Sequence, residues 1–150
     1  MHYTAETMLV CPQGNTGDSN LILDITPARA GWDYISFQAR RLDTGGRWSF
    51  DTGENELAFV NLSGRYTIES NRGRWSGVGG RAHVFAGAAH ALYLPRRTQF
   101  TVLAEEAGDF AVTWVPTDQD RAPWPIQPAA VHVSVRGGDN APPQLNDPLP

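Results

Sequence analysis

Two glutamates and two histidines are the side chains of this sequence best suited to proton transfer or metal binding. Glu54 and Glu56 follow a Thr-Gly turn, and His83 and His90 are the closest pair among the four histidines. A carboxylate or an imidazole can move a proton between adjacent carbons, and histidines with a carboxylate can hold a metal ion. We therefore take Glu54, Glu56, His83 and His90 as the candidates for a catalytic site.

Each candidate also has a simpler interpretation. Glu54 and Glu56 could form a residual carboxylate site in a barrel mouth, acting as a base or binding a sugar hydroxyl. Without histidine partners, a solvent-facing pair on the rim is favoured. His83 alternates within an apolar run, so a strand histidine and a loop histidine at position 90 are favoured over a metal site. The sequence predicts no metal ligand and no cofactor-binding residue in this chain.

Short β-rich segments, bounded by Gly, Asn, Asp and Pro, recur along the whole sequence. Several alternate apolar and polar residues, as a strand does when one face packs in a core. We predict strands at 21–25, 34–39, 47–50, 57–62, 65–69, 82–85, 91–94, 99–104, 110–115 and 131–135. Hairpin loops are predicted at 43–46, at 70–73 and around Glu105 and Glu106. No window has a helical period of useful length, and the pattern predicts an all-β jelly-roll barrel or sandwich.

The organisation along the chain predicts one barrel followed by a tail. A length of 150 residues suits one domain, which we place at residues 1–135. Prolines within 116–128 should prevent regular strand pairing, so this segment is predicted to cover the barrel in an extended form, with Trp124 packed on it. Residues 136–150 are rich in Gly and Pro and are typical of a linker, as expected for the front half of a longer protein.

Composition argues against several classes of function. The net charge is −4 and the arginines are scattered, which disfavours a nucleic-acid-binding protein. No apolar run is long enough for a membrane span, and the N-terminal residues lack the pattern of a signal peptide. The single cysteine, Cys11, favours a reducing cytoplasm. The chain contains no lysine, which excludes lysine chemistry within it.

Two blocks in the middle of the chain resemble those of a cupin-type β-barrel. They are Thr52-Gly-Glu-Asn-Glu56 with the apolar run to residue 62, and Gly80-Arg-Ala-His-Val-Phe85 with Tyr93-Leu-Pro95 and Thr98-Gln-Phe100. In metal-bearing cupins a His-x-His pair precedes the glutamate of the first block, and another histidine follows the proline of the second. Here Ser49 and Asp51 fall near the pair and Phe100 takes the later place. The resemblance implies a barrel that lacks the metal ligands.

A more specific resemblance covers the chain from about residue 21 to its end. Together with Gly31-Trp-Asp-Tyr-Ile-Ser-Phe37, Arg40-Arg-Leu42 and Arg136-Gly-Gly-Asp-Asn140, these blocks resemble the 5-deoxy-glucuronate isomerases of myo-inositol catabolism. That family implies two cupin barrels, with zinc held by three histidines and a glutamate in the C-terminal barrel. The full enzyme would interconvert 5-deoxy-D-glucuronate and 2-deoxy-5-keto-D-gluconate. This chain resembles only the N-terminal barrel, which serves mainly for structure and assembly.

The resemblance also implies partners. A second cupin barrel or another copy of the chain should pack against this one, over an exposed apolar patch. One alternative is a stand-alone, metal-free cupin that binds a sugar acid as a sensor or carrier, with Arg40, Arg41, Arg81 or Arg96 as candidate carboxylate binders. Another is an active single-barrel isomerase, which would need the candidate glutamates and histidines to converge in one cavity.

Overall fold

The computed structural model describes residues 4, 9–12, 17–135 and 144–147. Over these residues the regular secondary structure is almost all β-strand, with one short helix, α1 (Pro27–Ala30), and a single 3₁₀ turn at Pro128–Ala130. The strands are β1 (Leu21–Ile25), β2 (Ser36–Leu42), β3 (Arg47–Asp51), β4 (Asn55–Asn61), β5 (Gly64–Ser70), β6 (Gly73–Arg81), β7 (Ala91–Leu94), β8 (Gln99–Glu106), β9 (Gly108–Pro116), β10 (Trp124–Ile126), β11 (His132–Val135) and β12 (Gln144–Asp147). No helix among the described residues is long and apolar enough to cross a membrane.

The strands form two facing antiparallel sheets. One has the order β1-β2-β9-β4-β7-β10, and the other has the order β3-β8-β5-β6. Consecutive strands from β2 to β5 alternate between the sheets in the manner of a double-sheet jelly roll. A separate two-stranded sheet joins β11 and β12. The predicted all-β jelly-roll fold is confirmed.

Strand alternation sorts the side chains of β4 into two sets. Leu57, Phe59 and Asn61 are buried between the sheets, whereas Glu56 and Ala58 lie on the outer face of the six-stranded sheet. Phe59 stacks on Phe110 with ring centroids 5.1 Å apart. The alternation of a pleated strand therefore fills the interior with apolar side chains and leaves the polar candidate Glu56 outside it.

The connection from β4 to β5 packs tightly against the start of β9. The Asn61 side-chain amide donates to the carbonyl oxygens of Ser63 at 2.9 Å and Gly64 at 3.1 Å. A Cβ atom added at Gly108 would lie only 2.7 Å from Gly64 Cα. Glycine is therefore required at position 108 by the close approach of two backbones.

The prediction of a strand at 82–85 is wrong. The strand in this region is β6, which ends at Arg81 and contains four glycines. Glycines have low strand propensity, so the sequence pattern concealed β6, which is stabilised by its pairing with β5. Arg81 then donates to the carbonyl oxygens of Val84 at 3.3 Å and Gly87 at 2.9 Å, which holds the following segment in a compact loop.

Two further corrections concern connections. The loop at 43–46 and the residues after Glu105 and Glu106 do not form hairpins, because they join strands of different sheets. The loop at 70–73 does join the paired strands β5 and β6, as predicted.

The proline-containing segment also differs from expectation, because β10 pairs with β7. This strand is at the sheet edge, where the missing N–H of Pro125 is tolerated. Trp124 remains 46% exposed. Strand β12 lies within the predicted linker at 136–150, whose remaining residues are outside the described ones.

Candidate functional site

Glu54 lies on the rim and is bound by arginines. Its carboxylate accepts a 2.9 Å hydrogen bond from Arg97 Nε and pairs with Arg96 at 3.3 Å. The bond from Arg97 is the main reason that the pKa of Glu54 lies below its ordinary value. An exposed carboxylate stabilised in its charged form is a poor acceptor of a substrate proton. The rim interpretation of Glu54 fits this arrangement.

Glu56 lies on the outer face of the six-stranded sheet. The Tyr93 hydroxyl donates to its Oε2 at 2.8 Å. Burial, and then this bond to Glu56, raises the pKa of Tyr93 to about 12, so the phenol stays protonated at neutral pH. The pair borders a cavity of about 520 Å³ between the sheet and the segment that contains Arg121 and Trp124.

His90 has both ring nitrogens occupied. Nδ1 accepts from the backbone N–H of Gly79 at 3.1 Å, and Nε2 lies 2.7 Å from Gln127 Oε1. This pattern requires a neutral ring with its proton on Nε2, which donates to Gln127. His90 therefore joins β6 to the residues after β10, in agreement with a satisfied loop histidine.

His83 is exposed in the loop that follows β6, so its predicted place within a strand is wrong. Its ring lies near that of Phe85, with centroids 6.3 Å apart. The four candidates are thus spread over the rim, the outer sheet face and the loops near β6. Among the described residues no group of three or more His, Cys, Asp or Glu side chains is arranged to hold a metal ion.

The barrel interior next to β3 is filled by aromatic rings. Trp48 and Phe50 point inward and stack with centroids 5.3 Å apart. Phe50 also contacts Trp114 across the two sheets at 5.2 Å. Ser49 and Asp51 have the opposite orientation, with exposed side chains that bond to Thr101 and to the backbone N–H of Gly53. Aromatic rings therefore fill the interior beside β3, the strand on which the cupin resemblance would place a His-x-His pair.

The four arginines predicted as carboxylate binders are already engaged. Arg40 is buried, pairs with Asp18 at 2.8 Å and lies over the Trp48 ring. Arg41 binds Asp109 through two nitrogens. Arg81 donates to backbone carbonyls, and Arg96 binds Asp120 through two nitrogens. Each of the four guanidinium groups therefore already has at least one hydrogen-bond acceptor within the described part of the chain.

Arg121 is the residue that sequence reasoning missed. It is exposed at the outer cavity, and it makes no ion pair within the described part of the chain. No local motif marks it, since its position depends on the preceding Asp120, which Arg96 holds from a distant loop. The exposure of Trp124 is the second feature of this cavity, whose other walls include Thr113, Trp114 and Val115.

Comparison with known proteins places the chain in a family. The sequence profile described as the KduI/IolB family matches residues 8–149. The chain belongs to this family. The 5-deoxy-glucuronate isomerase of Geobacillus kaustophilus is 27% identical over 95% of this chain and 52% of its own length. An IolB-like protein from Salmonella typhimurium has a TM-score of 0.85 at 26% identity, covering 95% of this chain and 54% of that one.

This KduI/IolB-family chain spans about half the length of the relatives it matches. Its solved structural neighbours include cupins, such as the cupin domain of Schizosaccharomyces pombe Cnp3, which is 14% identical over 56% of this chain with a TM-score of 0.44. The resemblance predicted from the five sequence blocks is confirmed at the level of the family.

The residues of this chain do not fit the zinc site that the resemblance implies for its relatives. The two positions near the expected His-x-His pair, Ser49 and Asp51, point away from the interior, and a one-residue shift brings in Trp48 and Phe50. Phe100, which stands at the later histidine position, is 3% exposed in the core. An aromatic ring supplies no lone pair of the kind that zinc requires.

Proposed function

We propose that this chain is the N-terminal, structural half of a 5-deoxy-glucuronate isomerase-like protein, with the zinc and the catalytic residues in a second cupin barrel. The observation that carries the proposal is that Ser49 and Asp51, near the expected His-x-His pair, are exposed, while Trp48, Phe50 and Phe100 pack in the interior. The match to only half the length of named isomerases supports it. A cytoplasmic location, as expected from the sequence, belongs to the same proposal.

The chemistry of the proposed full enzyme makes demands that these residues do not meet. Aldose–ketose isomerisation moves a proton between adjacent carbons and stabilises an enediolate oxygen. A bound zinc ion supplies the second function by holding the developing negative charge. In this chain Glu54 is held by arginines, Glu56 accepts from Tyr93, and His90 has both nitrogens occupied. These side chains do not converge on one substrate position, which argues against an active single-barrel isomerase.

The structural role requires a partner surface, and we propose that a second cupin barrel packs against this one. In the absence of that barrel, another copy of the chain would take its position. Large apolar side chains are exposed just before β2 and in the loop after β6. They include Tyr34 at 68% and Phe85 at 92% exposure. Side chains of this size are expected where another protein surface packs.

An isomerase assay tests this proposal. We expect no conversion of 5-deoxy-D-glucuronate by the purified chain, with or without added zinc, while the full-length Geobacillus kaustophilus relative serves as the positive control. We expect the same inactive result for the Glu54→Gln and Glu56→Gln variants. Zinc-dependent turnover by the chain alone, lost in either variant, would overturn the proposal.

A further inference from the structure

The outer face of the six-stranded sheet contains a cavity that the proposed structural role does not use. It has a volume of about 520 Å³, within the range of small-molecule sites. Its floor is formed by residues of β4, β7 and β9, and its wall by the segment at 121–124. The lining is mainly apolar, with a few polar groups, as in sites that bind small organic ligands.

Backbone pairing fixes one wall of the cavity. Trp124 pairs with Tyr93 in the register of β10 and β7, so the indole stands beside the phenol. Trp124 is 46% exposed, whereas Ile126, two residues later in the same strand, is buried. An indole held at the sheet edge offers a flat apolar surface to a ring.

An ion pair between Arg96 and Asp120 holds the backbone next to Arg121, the cation of the cavity. Arg96 binds Asp120 through Nε at 2.6 Å and through its second terminal nitrogen at 2.7 Å. This bidentate pair ties the loop after β9 to the loop before β8, and the next residue in the chain is Arg121 at the cavity. The guanidinium of Arg121 has no acidic partner among the described residues, so its donors are available to an anion.

An oriented carboxylate completes the polar lining. Tyr93 donates to Oε2 of Glu56, which leaves Oε1 and the remaining lone pairs to accept from a ligand hydroxyl. A ligand that satisfies all three groups carries a carboxylate for Arg121, a ring face for Trp124 and a hydroxyl donor for Glu56. Simple fatty acids lack the ring and the hydroxyl, and neutral sugars lack the anion.

We propose that this cavity binds a small ring-bearing hydroxycarboxylate through Arg121, Trp124 and Glu56. Sugar acids and hydroxylated aromatic acids share this chemistry. The inference is independent of the isomerase proposal, since it requires neither turnover nor a second barrel.

Calorimetric titration of the full 150-residue chain tests the proposal, with D-glucuronate and 4-hydroxybenzoate as the two probes. We expect saturable binding of at least one probe, and which one binds identifies the ligand source. Arg121→Gln should weaken that binding at least about tenfold, because it removes a charge-assisted contact. Arg74→Gln is the matched control, since Arg74 pairs with Glu69 on the other sheet, and it should leave binding unchanged.

A second comparison tests the two polar contacts separately, since D-glucose lacks the carboxylate that Arg121 would bind and benzoate lacks the hydroxyl that would donate to Glu56. D-glucose or benzoate, each lacking one of the required groups, should bind at least about tenfold more weakly than the corresponding acid or hydroxy acid. In a ¹H–¹⁵N spectrum the Trp124 indole signal, identified with Trp124→Phe, should move on titration. The proposal would be overturned if neither probe saturates the protein at concentrations up to about 10 mM. It would also be overturned if Arg121→Gln binds the probe as tightly as wild type. A third contrary result would be that neither probe binds the wild-type chain while Trp124→Ala abolishes its self-association, because the cavity would then be a protein interface.

Discussion

The guanidinium of Arg40 lies 4.6 Å from the centre of the Trp48 ring, at the edge of the aromatic packing inside the barrel. Arg40 is only 6% exposed, and its charge is balanced by Asp18 at 2.8 Å. A buried arginine over an indole is a stabilising arrangement when its charge is paired, and here Nε donates to Gln38 and Nη1 donates to Asp18. The aromatic side chains of the interior thus pack beside a buried arginine, Arg40, whose charge is paired with Asp18.

The Arg40–Asp18 pair predicts acid sensitivity. The hydrogen bond from Arg40 is the main cause that lowers the pKa of Asp18 from its ordinary 3.8. A carboxyl group whose pKa is lowered by folding stabilises the protein above its unfolded pKa, and the contribution is lost as the pH falls through the folded value. Asp18→Asn should therefore destabilise the chain by about 1 kcal/mol at pH 7, a modest value because Asp18 is 43% exposed.

Urea unfolding at pH 7 and pH 3 measures this effect. We expect the difference between wild type and Asp18→Asn to shrink at the lower pH, because pH 3 lies below the ordinary pKa of 3.8, where the stabilisation by ionised Asp18 is already being lost. Asp33→Asn is the control, because Asp33 is an exposed carboxylate in the turn that follows α1. Its free energy of unfolding should stay within about 0.5 kcal/mol of wild type at both pH values. An equal difference at the two pH values would contradict the assignment.

The interior predicts a large penalty for truncating Phe59. This side chain is fully buried and contacts Tyr66 and Phe110, with ring centroids at 5.7 and 5.1 Å. Phe59→Ala should cost about 3–5 kcal/mol, from lost burial and from the cavity that it leaves. Phe85→Ala, at a side chain that is 92% exposed, should change the free energy of unfolding by less than about 0.5 kcal/mol. Denaturant midpoints of similar size for the two variants would contradict this core.

The sequence predicted the strands with a clear apolar pattern and did not predict the glycine-rich strand β6. The runs at 21–25 and 91–94 are strands with the predicted bounds, since each is a mainly apolar run that ends shortly before a proline. Strand β6 was missed because its glycines carry no side-chain pattern and its structure depends on pairing with β5. His83 was consequently assigned to a strand that ends before it.

The candidate site was less predictable than the fold. The rim position of Glu54 and the loop position of His90 followed from local patterns. The position of Arg121 depends on Arg96, 25 residues earlier in the numbering, and no local pattern reports an ion pair between two loops. The cavity depends likewise on β10 pairing at the sheet edge, where prolines suggested no strand.

Close backbone packing predicts a second structural penalty. A side chain at position 108 would lie within 2.6 Å of Ser63 C and 2.7 Å of Gly64 Cα, neither of which can move without displacing the turn after β4. Gly108→Ala should cost more than about 2 kcal/mol by overpacking. Gly53→Ala is the comparison, because that residue has open space but a φ of +53°, and strain alone should cost about 1 kcal/mol. Thermal unfolding shows which of the two variants loses more stability. A smaller loss of stability for Gly108→Ala than for Gly53→Ala would contradict the close contact at position 108.

Metal content per chain is the measurement that decides whether this barrel holds zinc. The purified protein, loaded with zinc and dialysed against a weak chelator, is measured by elemental mass spectrometry beside the full-length Geobacillus kaustophilus isomerase. We expect zinc far below one per chain here, because Trp48, Phe50 and Phe100 fill the interior beside β3 and supply no metal ligand. About one zinc per chain, lost on replacing His83, His90, Glu54 or Glu56, would contradict it.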